Sequence, residues 1–134
     1  MRVLLDTNAI VSAVTTRGLC ADVFRAVLAA HELVTCPQVL QEVRRILSIK
    51  FGAPEPLIAE YLELIGQDAI VADSVDLPDL PIQDQGDVEI VAVAINARAD
   101  VLVTGDHELQ SLKNIGKVRI ISPREFWEEL TARG

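Results

Sequence analysis

Residues 2–6, Arg2-Val3-Leu4-Leu5-Asp6, decide how the rest of the chain is read. Val3, Leu4 and Leu5 place apolar side chains on both faces of an extended segment, because successive strand residues point to opposite sides. A strand with no polar face needs cover above and below, which is the pattern of a parallel sheet between helix layers. Comparable short runs follow at Leu33 to Cys36, Ala69 to Ala72, Val101 to Val103 and Val118 to Ile121. Between them the period changes. Val39, Leu40, Val43, Ile46 and Leu47 form one apolar helical stripe behind Pro37, a residue suited to a first helical turn. Further helices are predicted over about Leu19 to Ala30, Pro56 to Ile65 and Asp87 to Arg98, and after Pro123, where Phe126, Trp127 and Leu130 make the apolar side. Strands alternating with helices predict an α/β fold, a three-layer α/β/α sandwich on a central parallel sheet of about five strands. A single domain over residues 1–134 is expected. Asp73 to Gly86, with Pro78 and Pro81, is the one long irregular stretch, and long loops in compact domains are often functional.

Composition narrows the chemistry. The chain carries 12 Lys and Arg against 20 Asp and Glu, a formal charge of −8. From Phe51 to Ala97 there is no cation, while ten acids fall there: Glu55, Glu60, Glu63, Asp68, Asp73, Asp76, Asp79, Asp84, Asp87 and Glu89. Such a balance excludes non-specific coating of nucleic acid, which rests on clustered Lys and Arg. It leaves room for an enzyme that grips a few phosphates. Cys20 and Cys36 form no CxxC pair and have no ligand-like His spacing, so reduced thiols and a cytoplasmic location are expected. No apolar run approaches the roughly 18 residues of a membrane span, and Asp6 interrupts the first apolar stretch too early for a signal peptide.

The acids have a place in this plan. Ligands of open parallel sheets bind outside the carboxyl ends of the strands, where Asp6 and Asp106 fall. Taken singly, each residue has the plainer reading of a helix N-cap. Glu42 and Asp87 lie in the first two turns of their helices and so face the same rim. Asp87 falls on the wheel beside Ile90, Val91 and Ala94, and a carboxylate on a packed face is costly unless paired, protonated or coordinated. The plainer reading of Asp87 is interaction with the helix dipole, and that of Glu42 an ion pair with Arg45 at i+3. Four acids on one rim repel each other unless a cation sits among them, and hard oxygen ligands in that number suit Mg²⁺ or Mn²⁺. Neither His31 nor His107 has a partner at zinc-ligand spacing.

These motifs resemble the PIN-domain family, of the kind found as toxins of VapBC-type toxin-antitoxin pairs. The carrying residues are Leu5-Asp6-Thr7-Asn8, Glu42 in Gln41-Glu42-Val43, Asp87 ahead of Ile90-Val91-Ala92-Val93-Ala94, and Ala99-Asp100 followed by Val103-Thr104-Gly105-Asp106. The resemblance implies that Asp6, Glu42, Asp87 and Asp106 are the catalytic acids that bind the divalent metal, with Asn8 and Thr104 as supporting polar groups. It also implies a metal-dependent endoribonuclease acting on RNA, usually a homodimer, silenced by a cognate antitoxin. Many relatives have a second Asp two places after the last motif acid, where this chain has Glu108, and Asp84 can replace or supplement Asp87. Asp100, at a strand's amino end, reads as structural. RNA is expected to approach over Arg17, Arg44, Arg45 or Lys50.

Two rivals remain at this level. A receiver-like or phosphatase-like phosphoryl acceptor also places acids at strand ends. Against it, a haloacid-dehalogenase-type phosphatase wants an Asp where Asn8 stands, and a receiver wants a Lys where Ile121-Ser122-Pro123 stands. An inactive binding domain of the same fold is the other. No GxGxxG follows the first strand, so a dinucleotide enzyme is excluded.

Overall fold

The computed structural model describes residues 1–73, 80 and 82–132. Pro78 and Pro81 of the long irregular stretch, and the acids Asp76 and Asp79, lie outside the described residues.

The first strand, β1 (Arg2–Leu5), has Val3, Leu4 and Leu5 fully enclosed, as its two apolar faces require. Asp6 ends it and starts α1 (Thr7–Thr15), after which α2 (Leu19–Ala30) leads to β2 (Glu32–Thr35). There follow α3 (Pro37–Ile49), with Pro37 in its first turn, α4 (Glu55–Gly66) and the short β3 (Ile70–Val71). The chain continues through α5 (Gln85–Asn96), β4 (Val101–Val103), α6 (His107–Ser111), β5 (Asn114–Ile115), β6 (Val118–Ile121) and α7 (Pro123–Ala132). The strand order is β3-β2-β1-β4-β6-β5. All pairs are parallel except β5 with β6, and Leu4 stands opposite Val34 on one side and Leu102 on the other.

The sandwich and its parallel centre are as the periodicity predicts, but the sheet has six strands, not about five. The additional β5 has only two residues, too few for any alternation to register. It turns into β6 through Gly116 and Lys117, with Gly116 at φ +58°, a left-handed conformation that glycine adopts without a Cβ clash. Helix α5 begins at Gln85, two residues before the predicted start, because Asp84 rather than Asp87 caps it. Asp87 therefore sits inside the first turn. No helix among the described residues is long and apolar enough to cross a membrane.

One polar atom in the core has no use there. Thr35, at the end of β2, is fully buried, and its Oγ1 has no hydrogen-bond partner among the described residues. An unmade hydrogen bond in the interior costs about 1–3 kcal/mol of desolvation. Thr35→Val keeps the branched shape a strand favours and removes the orphan hydroxyl, so urea unfolding should show a gain of about 1 kcal/mol.

Candidate active site

β1 and β4 are neighbours in the sheet, so the residues that follow them meet at the same rim. Asp6 continues the ladder through its amide, which donates to the Val103 carbonyl at 3.2 Å. Asp6 is 7% exposed, and each of its carboxylate oxygens accepts one hydrogen bond. Oδ1 accepts from the Ala9 amide at 2.8 Å, capping α1, and Oδ2 accepts from the Thr104 hydroxyl at 2.6 Å. The same hydroxyl accepts from the Asp106 amide at 3.0 Å. Thr104, itself fully buried, thus ties the two strand-end acids together. Asp106 caps α6 in the same way, Oδ1 accepting from the Leu109 amide at 3.0 Å. Capping and a place in the cavity wall coexist in both residues.

Two other helices complete the rim. On α3, Gln38, Glu42 and Ile46 recur every fourth residue and therefore share a face. On α5, Asp84 Oδ1 accepts from the Asp87 amide at 3.1 Å as the N-cap. Between them Gly86 allows close approach, since a Cβ there would stand 3.0 Å from Asp84 Oδ1. Asp6, Asn8, Gln38, Glu42, Asp84, Asp87 and Asp106 all line one cavity of ≈ 370 Å³, with Ile46 and Ile90 on its wall. Among the described residues no Lys, Arg, His or Cys lines it.

This charge distribution leaves a mark on Asp87. Burial, then the carboxylates of Asp106, Asp84, Glu108 and Asp6, push its carboxyl up to about 6 from the ordinary 3.8. Burial also raises Asp6, opposed by the Thr104 and Ala9 hydrogen bonds and helped by Asp106. Glu42 is held below its usual value by the Arg45 hydrogen bonds, at 3.2 and 3.0 Å from Oε1 and Oε2. The N-termini of α1, α5 and α6 bring partial positive charge to the rim, which offsets part of the repulsion but not all of it. A carboxyl raised on folding contributes stability below its unfolded value and loses it as pH rises through the folded one. Metal-free protein should accordingly melt at lower temperature as pH climbs from about 4 to about 6. Asp87→Asn should flatten that slope and raise the melting temperature at pH 7, as calorimetry in chelator would show.

The donor set is all oxygen, which fits a hard divalent cation in kind. Among the described residues no three His, Cys, Asp or Glu side chains already stand together in a metal-holding group. The residues converge on one cavity without closing around a point. All four principal acids expected from sequence line it, as do Asn8 and Asp84, and Thr104 lies one hydrogen bond away. Glu108 stays outside, accepting from the Gln83 amide at 3.0 Å, yet its charge reaches Asp87. Asp100 accepts from the Arg2 amide at 2.8 Å at the opposite rim of the sheet, where the strands begin.

The expected RNA-facing cations are not in the cavity wall. Arg44 pairs with Glu55, Arg45 with Glu42, and Lys50 lies over the Phe51 ring at 5.8 Å. Arg17 is exposed. Gln38 was missed by sequence reading. Its spacing of four residues before Glu42, in the first turn of the same helix, is the signal that would have found it.

The PIN domain family model matches residues 2–108. Among solved structures, a chain of VapBC2 from Rickettsia felis, bound to a DNA fragment from its promoter, superposes with a TM-score of 0.62 at 16% identity. The match covers 91% of this chain and 98% of that one, and at this identity it speaks to the fold alone. No curated protein matches the sequence. With the family model spanning both strand-end acids and the two helices that complete their rim, the chain belongs to the PIN domain family.

Proposed function

We propose that this chain is a divalent-metal-dependent endoribonuclease that hydrolyses RNA phosphodiester bonds as the toxin of a toxin-antitoxin pair. PIN domains are generally nucleases, and those nucleases generally use divalent metal ions. The observation that carries the reading is the cavity with five carboxylates and no lining cation, whose repulsion is already felt at Asp87. A phosphate would not enter such a pocket unaided.

Asp6 and Asp106 are the fixed ligands in this reading, because strand ends, helix caps and the shared Thr104 hydroxyl hold them. Glu42, Asp84 and Asp87 complete the oxygen set from α3 and α5, and Asn8 supplies an amide to the cavity wall. A bound Mg²⁺ or Mn²⁺ supplies an activated water and neutralises the charge that develops on the phosphate. No side-chain nucleophile is needed. Arg45, bonded to Glu42, is the cation that stands next to the cavity, and Arg17, Arg44 and Lys50 would serve the strand farther out. A cognate antitoxin and a homodimer belong to the same reading, and the VapBC2 complex is consistent with it.

The test is to incubate the purified protein with single-stranded RNA and with DNA of the same sequence, in Mg²⁺, Mn²⁺ or chelator. Internal cleavage of the RNA only when cation is present is the expected result. Absence of RNA cleavage under all three conditions, or cleavage indifferent to chelator, would overturn the proposal.

A further inference from the structure

At the opposite edge of the sheet, where β4 and β6 begin, lies a second cavity of ≈ 440 Å³. Its wall is mainly apolar, from Ile95 and Ala99 on one side and Ile115 and Val118 on the other. Arg98 and Lys117 complete it. Neither has an ion-pair partner among the described residues, a state shared with Arg17, Lys50, Lys113 and Arg124. The one acid present, Asp100, has Oδ2 occupied by the Arg2 amide. Two cations and one carboxylate therefore share an apolar hollow, a locally net-positive site in a protein whose net charge is −8.

Both cations stand on short, well-defined backbone. Lys117 follows Gly116 in the two-residue turn between β5 and β6. Arg98 follows α5 with φ 55°, in the left-handed position that ends many helices, and the Ala99 amide closes that end on the Ala94 carbonyl at 2.9 Å. Glycine is the usual residue at such a position, since a side chain there strains the backbone. Here an arginine occupies it and overhangs the cavity.

We propose that this cavity binds a small amphipathic anion, an apolar chain or ring ending in a carboxylate or phosphate, with Arg98 and Lys117 holding the charged end. Pockets of a few hundred cubic ångströms with apolar walls and a few placed polar groups are the usual form of small-ligand sites. A nucleic-acid strand is the poorer fit, because successive phosphates call for a row of cations along a groove rather than one pair over an apolar floor. The site sits at the sheet edge away from the acidic cavity. It needs no metal, and it stands or falls separately from the nuclease reading.

The probes are octanoate, octyl phosphate and the uncharged octanol, titrated into the full chain in chelator while the amide signals of Gly116, Lys117 and Val118 are followed by NMR. A ligand of about ten heavy atoms in a partly open site should bind with a Kd of about 0.1–1 mM. Both anions should shift these signals saturably, and octanol should do so at least about tenfold more weakly. Arg98→Gly relieves the left-handed strain, so it should fold at least as stably as the parent in a thermal melt and still lose anion binding at least tenfold. Lys117→Gln should weaken binding without altering the melt. Equal binding of octanol, or anion shifts unchanged in both variants, would overturn the proposal. So would saturable binding of a short oligouridylate at these amides with none of octanoate.

Discussion

Asp6→Asn should leave a folded protein whose RNA cleavage in Mg²⁺ or Mn²⁺ has fallen by at least about 100-fold, since even groups that only orient a metal ligand are worth about 10–100-fold. The capping role of Asp6 is kept in this variant while its charge is lost. Asparagine retains a side-chain oxygen for the Ala9 amide, so the cap on α1 survives, whereas the charge offered to the cavity and the acceptor for the Thr104 hydroxyl are both gone. The Asp6 carboxyl is raised by burial before any hydrogen bond is counted, so neutralising it removes a desolvation cost rather than a source of stability. The informative control is Asp100→Asn. Asp100 also ends a hydrogen bond beside β4, but at the far edge of the sheet, and cleavage there should be unchanged. If Asp6→Asn cleaves like the parent while its melting curve is also unchanged, Asp6 is only a cap and the metal-site assignment fails.

Phe126→Ala should cost about 3–5 kcal/mol of folding stability, the range for emptying a buried aromatic position. Phe126 is the largest side chain that is fully enclosed among the described residues, and its ring meets His31 edge-on with centroids 6.5 Å apart. It belongs to α7, outside the stretch matched by the family model, which ends at residue 108. The consequence reaches beyond one residue. β6 pairs along all of β4, and β4 carries Thr104 and Asp106 at its end, so the elements beyond residue 108 support the rim from behind. Loss of a large part of the denaturation free energy in Phe126→Ala, read by urea titration, is the expected outcome. A change below about 1 kcal/mol would mean that α7 is dispensable for the core.

Much of this architecture is local. Two-faced apolar runs and the change of period between them mark β1, β2, β4 and β6 and the helices α2, α3, α4, α5 and α7, because each signal lies within a few residues of backbone. The positions of Asp6 and Asp106 followed from the same reasoning, since a strand that stops at an acid before a helix puts that acid at the carboxyl rim. The Glu42 pair with Arg45, at i+3, was legible for the same reason. β5 was not, because two residues carry no period. Nor was the ion pair of Arg44 with Glu55, which depends on how α4 returns against α3.

What sequence alone determined is the alternation of the longer strands and helices and which acids fall at the rim, because both depend on spacing along the chain; the short α1, α6 and β5 were not read from it. Tertiary structure decided how those acids divide the work. The hydrogen bond from Thr104 to Asp6 joins residues 98 positions apart, and only the parallel register of β1 against β4 brings them within reach. Asp84 became the cap and Asp87 the half-buried carboxyl pushed up to about 6, because desolvation and the charges of Asp106, Asp84, Glu108 and Asp6 act through space, where separation along the chain has no meaning.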